Sequence, residues 1–194
     1  MAPISQYFRK LNFVIVALSV FGCASSPKVI SNIDSSVDFS EYKSYGFFET
    51  LATDKANYES MESNLLKVSV AKQLERRGFI YTENPDLLVN FYIHTEEKIR
   101  SRTTPTMGGG YYGYRDPYYD TWGGYGGTET RIEQYTQGTL NIDFVDAQRK
   151  SLVWEGSVSG RITEKVLKNL STEIDKAVDD IFSAFPVSPL DAET

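Results

Sequence analysis

From Leu87 to Thr95 the chain alternates without a break. Leu87, Val89, Phe91, Ile93 and Thr95 take one face, and Leu88, Asn90, Tyr92, His94 and Glu96 take the other. A period of two marks a half-buried strand. The alternation continues in polar form through Glu97-Lys98-Ile99-Arg100-Ser101-Arg102 and resumes in Glu129-Thr130-Arg131-Ile132-Glu133. Between the two arms stands Met107 to Gly127, whose eight glycines exclude a regular element. Two alternating arms around a Gly-rich tip predict a long antiparallel ribbon, with opposite charges pairing across its strands. The rest of the fold is then expected to grow on an antiparallel sheet.

Flanking segments supply the other elements. Tyr45 and Phe47 alternate with Ser44 and Gly46, which predicts a strand, and an earlier short strand is expected around Lys28–Asp34. Residues 59–77 hold no Gly or Pro and end at Gly78, the place of a helix C′ residue. Leu66, Val70 and Leu74 form one apolar stripe on that helix. Met61, Leu65 and Val68 form another, so cover on two sides is expected. Gly138 to Val145 reads as a strand with Leu140, Ile142 and Phe144 inward, and Asp146 to Lys150 as a hairpin loop. Leu152, Trp154, Val158 and Ile162 are placed together on the returning face. Asn169 is the expected cap of a last helix whose stripe is Ile174, Ala177, Val178, Ile181, Phe182 and Phe185. The order β-β-α-β-β-β-α predicts an α+β single domain, a mainly antiparallel sheet with two helices on one face. Trp154 is expected between sheet and last helix, near Ile181 or Phe185.

The N-terminus reads as an address. Arg9 and Lys10 precede an apolar run from Leu11 to Gly22 that is too short to span a bilayer and has the length of a signal-peptide h-region. It ends in Val20-Phe21-Gly22-Cys23, and Cys23 is the chain's one cysteine. The run resembles a bacterial lipobox, which implies cleavage before Cys23 and acylation there; a secreted protein with a spare thiol is the alternative. The expected organisation is a signal peptide at 1–22, a lipidated Cys23 with a tether over 23–36, a domain at 37–186 and a disordered tail at 187–194. By resemblance to enteric lipoproteins, Ala24 and Ser25 favour the outer membrane, facing the periplasm. The net charge is −6, and loss of Arg9 and Lys10 with the leader makes it −8. An acidic body without a Lys/Arg cluster argues against nucleic acid.

No catalytic set assembles from the remaining residues, so no enzyme, cofactor or metal is expected. His94 has no Cys or His companions for zinc and no nucleophile beside it. Asp143 and Asp146 invite an acid–base reading, but Asp146 opens a hairpin, where Asp caps its own backbone. Gly108 to Gly113 fits a dinucleotide pattern formally, yet no helix can start before Pro117. The segment 107–127 holds Tyr111, Tyr112, Tyr114, Tyr118, Tyr119, Trp122 and Tyr125. One reading makes these a contact surface for glycan, peptide or a second copy, because Tyr and Trp bring large area with few torsions. The other makes the segment a mobile insertion that an Asn-Gly turn could replace at little cost.

Several blocks together resemble a known family. Gly138-Thr139-Leu140 through Ile142-Asp143, Asp146-Ala147, and Leu152-Val153-Trp154-Glu155-Gly156 are similar to the hairpin of bacterial lipoproteins carrying domain of unknown function 4136. Asp38-Phe39-Ser40, Tyr42-Lys43-Ser44-Tyr45, Gly78-Phe79, Pro85-Asp86-Leu87-Leu88-Val89 and Ala177 to Pro186 are similar to its other blocks. The resemblance covers residues 29–186. It implies a fold and an envelope location, and no activity. The expected role is a lipid-anchored, non-catalytic interaction or structural module with envelope proteins or glycan as partners; the alternative is a ligand- or glycan-binding module using the Tyr/Gly segment.

Overall fold

A computed structural model describes residues 28–54, 58–106 and 127–190. The signal peptide, Cys23, the Tyr/Gly segment up to Gly126 and residues 191–194 lie outside the described residues.

Six strands form one sheet: β1 (Val29–Ile33), β2 (Ser44–Phe47), β3 (Ile80–Tyr81), β4 (Leu87–Thr106), β5 (Gly127–Asp146) and β6 (Ser151–Arg161), in the order β1-β6-β5-β4-β2-β3. The pairs β1–β6, β6–β5 and β5–β4 are antiparallel, whereas β2 runs parallel to both β4 and β3. Helix α1 (Met61–Glu75) lies between β2 and β3 in the chain, and α2 (Glu164–Lys168) and α3 (Leu170–Phe182) follow β6. The class is α+β, as the element order implies; β3 and α2 are additions too short for periodicity to announce.

Helix α1 starts at Ser60, whose hydroxyl accepts from the amide of Ser63 at 3.0 Å. It ends before Gly78, whose φ of +85° is a left-handed conformation that glycine adopts without strain. Leu66, Val70 and Leu74 are buried as expected. The second stripe is only partly covered: Leu65 packs against the core, but Met61 and Val68 are exposed, because α3 packs on one side only. Ile174, Val178, Ile181, Phe182 and Phe185 join the core from α3 and the turn after it. Asn169 does not cap α3 with its side chain, which turns back to the carbonyl of Lys165 at 2.9 Å.

Trp154 sits where expected, 1% exposed, with ring centroids 5.1 Å from Phe185 and 5.4 Å from Phe144. Leu152 is a correction. Phe144 faces Trp154 but Val145 faces Leu152, so β6 carries one extra residue, Val153. That bulge resets the phase, burying Val153 and turning Leu152 outward.

Both domain boundaries move. Strand β1 lies where a short strand was expected and pairs with β6 along its whole length, so the fold includes Val29–Ile33, inside the segment read as a tether. Four of its five side chains are exposed, and backbone bonding to β6 holds it. At the other end Val187 packs on the core, and the amide of Leu190 donates to the carbonyl of Arg76 at 2.9 Å. Ordered chain therefore reaches Leu190. Residues 187–190 are docked against the end of α1.

Candidate interaction site

Strands β4 and β5 pair over twenty positions, but their support is shorter. Strand β6 follows β5 only from Gln137 to Asp146, and β2 follows β4 only from Leu87 to Val89. Among the described residues, the sheet from Glu97↔Thr136 to Thr106↔Gly127 is therefore a two-stranded ribbon, roughly 30 Å long at the usual rise per residue. The register and alternation give it two unlike faces. One carries Ile99, Ser101, Thr103 and Pro105 against Gln134, Ile132, Thr130 and Thr128. Apart from Glu97 at the root it is uncharged, and Ile99 and Ile132 are 73% and 72% exposed. The other carries Lys98, Arg100 and Arg102 against Tyr135, Glu133 and Arg131.

Register also places Arg161 opposite Gln137, where it bonds Glu133 at 2.7 Å and lies 3.8 Å over the Tyr135 ring. This corrects the expectation of a body without a basic cluster. Lys98, Arg100 and Arg102 are visible in sequence as alternating cations, but Arg131 and Arg161 reach them only through strand pairing.

At the ribbon root, on the helix side, an apolar groove of about 400 Å³ opens between sheet and helices. Ile93, Leu140 and Val158 line its floor, and Val166, Ile174 and Ala177 its wall. A Cβ added at Gly160 would meet nothing within 4 Å, so the floor there is open space.

The acids serve the fold at the opposite end of the sheet. The Asp86 carboxylate accepts from the amides of Lys43 and Ser44 at 2.9 Å and from the Ser44 hydroxyl at 2.8 Å. Asp146 accepts from the amides of Gln148 (2.9 Å) and Arg149 (2.7 Å), from the Tyr42 hydroxyl (2.8 Å) and from Arg149 Nε (2.9 Å). This is the hairpin role expected for it. Burial pushes the Asp146 carboxyl up, but these donors outweigh it and hold the group at about 2. A depressed carboxylate stabilises the fold above its unfolded pKa, near 4, and loses that contribution as pH falls through its folded value. We expect about 2 kcal/mol of acid-labile stability between pH ~4 and ~2 from this group. Acid-induced unfolding of Asp146→Asn, followed by circular dichroism, should lack that component; an unchanged acid profile would count against the assignment.

Asp143 lies apart from that corner, half-buried on the open sheet face between Asn90 and Glu155, and burial, then Glu155, raises its pKa. The two aspartates thus do different work. His94 is exposed on the same face and stacks on Tyr92 with centroids 6.5 Å apart. Among the described residues, no group of three or more His, Cys, Asp or Glu is placed to hold a metal, and no helix is long and apolar enough to cross a membrane. The other candidate contact residues, Cys23 and the aromatics from Tyr111 to Tyr125, lie outside the described residues.

Fold and site define a small α+β domain in which one helical layer covers one face of a mixed sheet and a two-stranded ribbon leaves the body. The chain belongs to the family described as Domain of unknown function (DUF4136), whose model matches residues 29–187. No curated protein matches the sequence. A crystal structure of a PDZ domain protein from Parabacteroides distasonis is similar in fold, with a TM-score of 0.53 at 14% identity over 84% of this chain and 36% of that one. This chain therefore spans about a third of that protein's length. The PelC dodecamer from Paraburkholderia phytofirmans aligns over 80% of this chain and 94% of its own at 9% identity, with a TM-score of 0.43 that carries no argument.

Proposed function

We propose that the protein is a lipid-anchored component of the cell envelope, held at Cys23 and facing the periplasm, and acts as a non-catalytic interaction module. Its carboxylates at Asp86 and Asp146 are occupied by turn and strand amides, which suits a scaffold. The observation that carries the interaction reading is the ribbon. Two-stranded ribbons are marginal in water unless packed on something, and an exposed aliphatic pair on an uncharged face is what a partner covers. Ile99 and Ile132 are diagonal neighbours on that face. Among the described residues, both strand edges are also open to a further strand beyond the body. The outer membrane is the favoured site, from the residues after Cys23.

The groove at the ribbon root supports a second reading, a module that binds an apolar ligand, with Tyr111 to Tyr125 contributing contacts or recognising glycan. Its volume lies within the range of small-molecule sites and its lining is mostly apolar.

One experiment tests the anchored interaction reading. Cells carrying the wild-type chain with a photoreactive residue at Ile99 should show acyl labelling, membrane fractionation and crosslinked adducts. In Cys23→Ala the label should vanish, and the chain should leave the membrane fraction or persist as uncut precursor. Labelling and fractionation unchanged by Cys23→Ala would contradict the anchor. A chain that stays at the membrane yet gives no adduct from Ile99 would contradict the interaction role.

A further inference from the structure

We infer that the charged face of the ribbon, through Arg100, Arg102, Arg131 and Arg161, binds the phosphate groups of an anionic bilayer surface. Charge is the first argument. The chain carries −6 overall, but this face gathers five cations (these four arginines and Lys98) and three acids, Glu96, Glu129 and Glu133. Each acid already serves one cation: Glu96 pairs with Lys98 at 2.8 Å, Glu129 with Arg131 at 3.4 Å and Glu133 with Arg161 at 2.7 Å. The face therefore keeps a surplus of two positive charges on an otherwise acidic molecule. Arg102 and Arg131 stand directly opposite each other, and like charges in that position repel unless an anion lies between them.

Residue type and shape follow. Four of the five cations are arginine, whose planar fork takes two oxygens of one phosphate, whereas lysine offers a point charge. The opening they line together with Thr104, Glu129 and Glu133 extends along the ribbon with a volume of about 720 Å³, more than one phosphate fills. An array of headgroups fits such a face better than one enclosed anion.

The direction of the chain selects the membrane as the source. Val29 pairs with Val158, three residues from Arg161, so the chain enters β1 at the end of the sheet from which the ribbon leaves. Val29 lies six positions after Cys23 in sequence, a reach of about 20 Å at full extension. An anchor at Cys23 therefore holds this end of the domain near the bilayer surface. That reach argument rests on the anchor reading; the charge argument does not.

Flotation of the full chain with vesicles tests the inference, comparing phosphatidylcholine alone with phosphatidylcholine doped with phosphatidylglycerol. The apolar N-terminal run contributes to both compositions, so the ratio of the two partition coefficients reads the charged face. The wild type should prefer the anionic vesicles, and added salt should erase the preference. Each arginine removed should lower the ratio about fivefold, so Arg100→Gln/Arg102→Gln/Arg131→Gln should abolish it with an unchanged melting profile. Arg→Lys at the same three positions should retain part of it. A ratio unaltered in the Gln variant would overturn the inference. So would full competition by millimolar inorganic phosphate, which would make the ligand a free anion, or equal binding to a single-stranded oligonucleotide. Failure of acyl labelling at Cys23 would leave this ratio untouched, so the two readings fail separately.

Discussion

Trp154→Ala is expected to cost about 3–5 kcal/mol, enough to unfold a domain of ordinary stability at growth temperature. The indole is 1% exposed and touches three rings, Phe144, Phe182 and Phe185, from β5 and the α3 end. Its removal leaves a cavity between sheet and helix that the rigid aromatic neighbours cannot close. Chemical denaturation of the purified protein checks this. A midpoint within error of the wild type would contradict the packing described.

Gly156→Ala should be the next most damaging, at about 1–3 kcal/mol, the usual penalty for overpacking a core. A Cβ at Gly156 would collide with the Trp154 ring and lie 2.6 Å from Cγ2 of Ile181. The indole occupies the space a side chain would need, and α3 closes it from above. The two sites must therefore couple. In Trp154→Ala the collision with the ring is gone, so adding Gly156→Ala should cost less than it does in the wild type. Strict additivity of the two losses in a double-mutant cycle would refute the contact.

The reason Trp154 was legible lies in its neighbours. Period two in β6 and the i, i+4, i+7, i+8 stripe of α3 both point at one layer, and long-range packing agreed with local pattern. Leu66, Val70 and Leu74 were legible for the same reason. Periodicity failed where backbone bonding, not burial, holds the chain. Strand β1 was expected around Lys28–Asp34 and is there, but its membership of the domain rests on edge bonding to β6, and β3 is two exposed residues bonded to β2. The bulge at Val153 inverted the face assigned to Leu152, since one inserted residue shifts every phase before it.

Polar interactions at distance were harder still. Arg77 follows the C-terminal end of α1, where a cation suits the helix dipole. Its guanidinium in fact reaches the carbonyls of Gln73, Phe182 and Val187, at 2.8, 3.2 and 2.8 Å, joining the ends of α1 and α3. No local pattern carries that information. The ribbon itself was legible from alternation, and so were its charges; the meeting of Arg131 and Arg161 with Arg100 and Arg102 required the register. The acid corner was legible only at Asp146, through its turn position, and not in its bonds to Tyr42.

Under the proposed function the molecule divides into a body that folds and a ribbon that meets partners. The body's core draws on residues up to Phe91 in β4 and from Ile142 in β5, so the ribbon is absent from it. Glu96 and Gln137 are register partners, and an Asn-Gly turn between them would close a tight hairpin in place of residues 97–136. Crosslinking in intact cells, on a ribbon-excised chain whose melting profile confirms folding, is the most direct measurement. The account predicts a folded chain that remains at the envelope and loses the crosslinked species of the full-length protein. The same crosslinked species from the excised chain would contradict it.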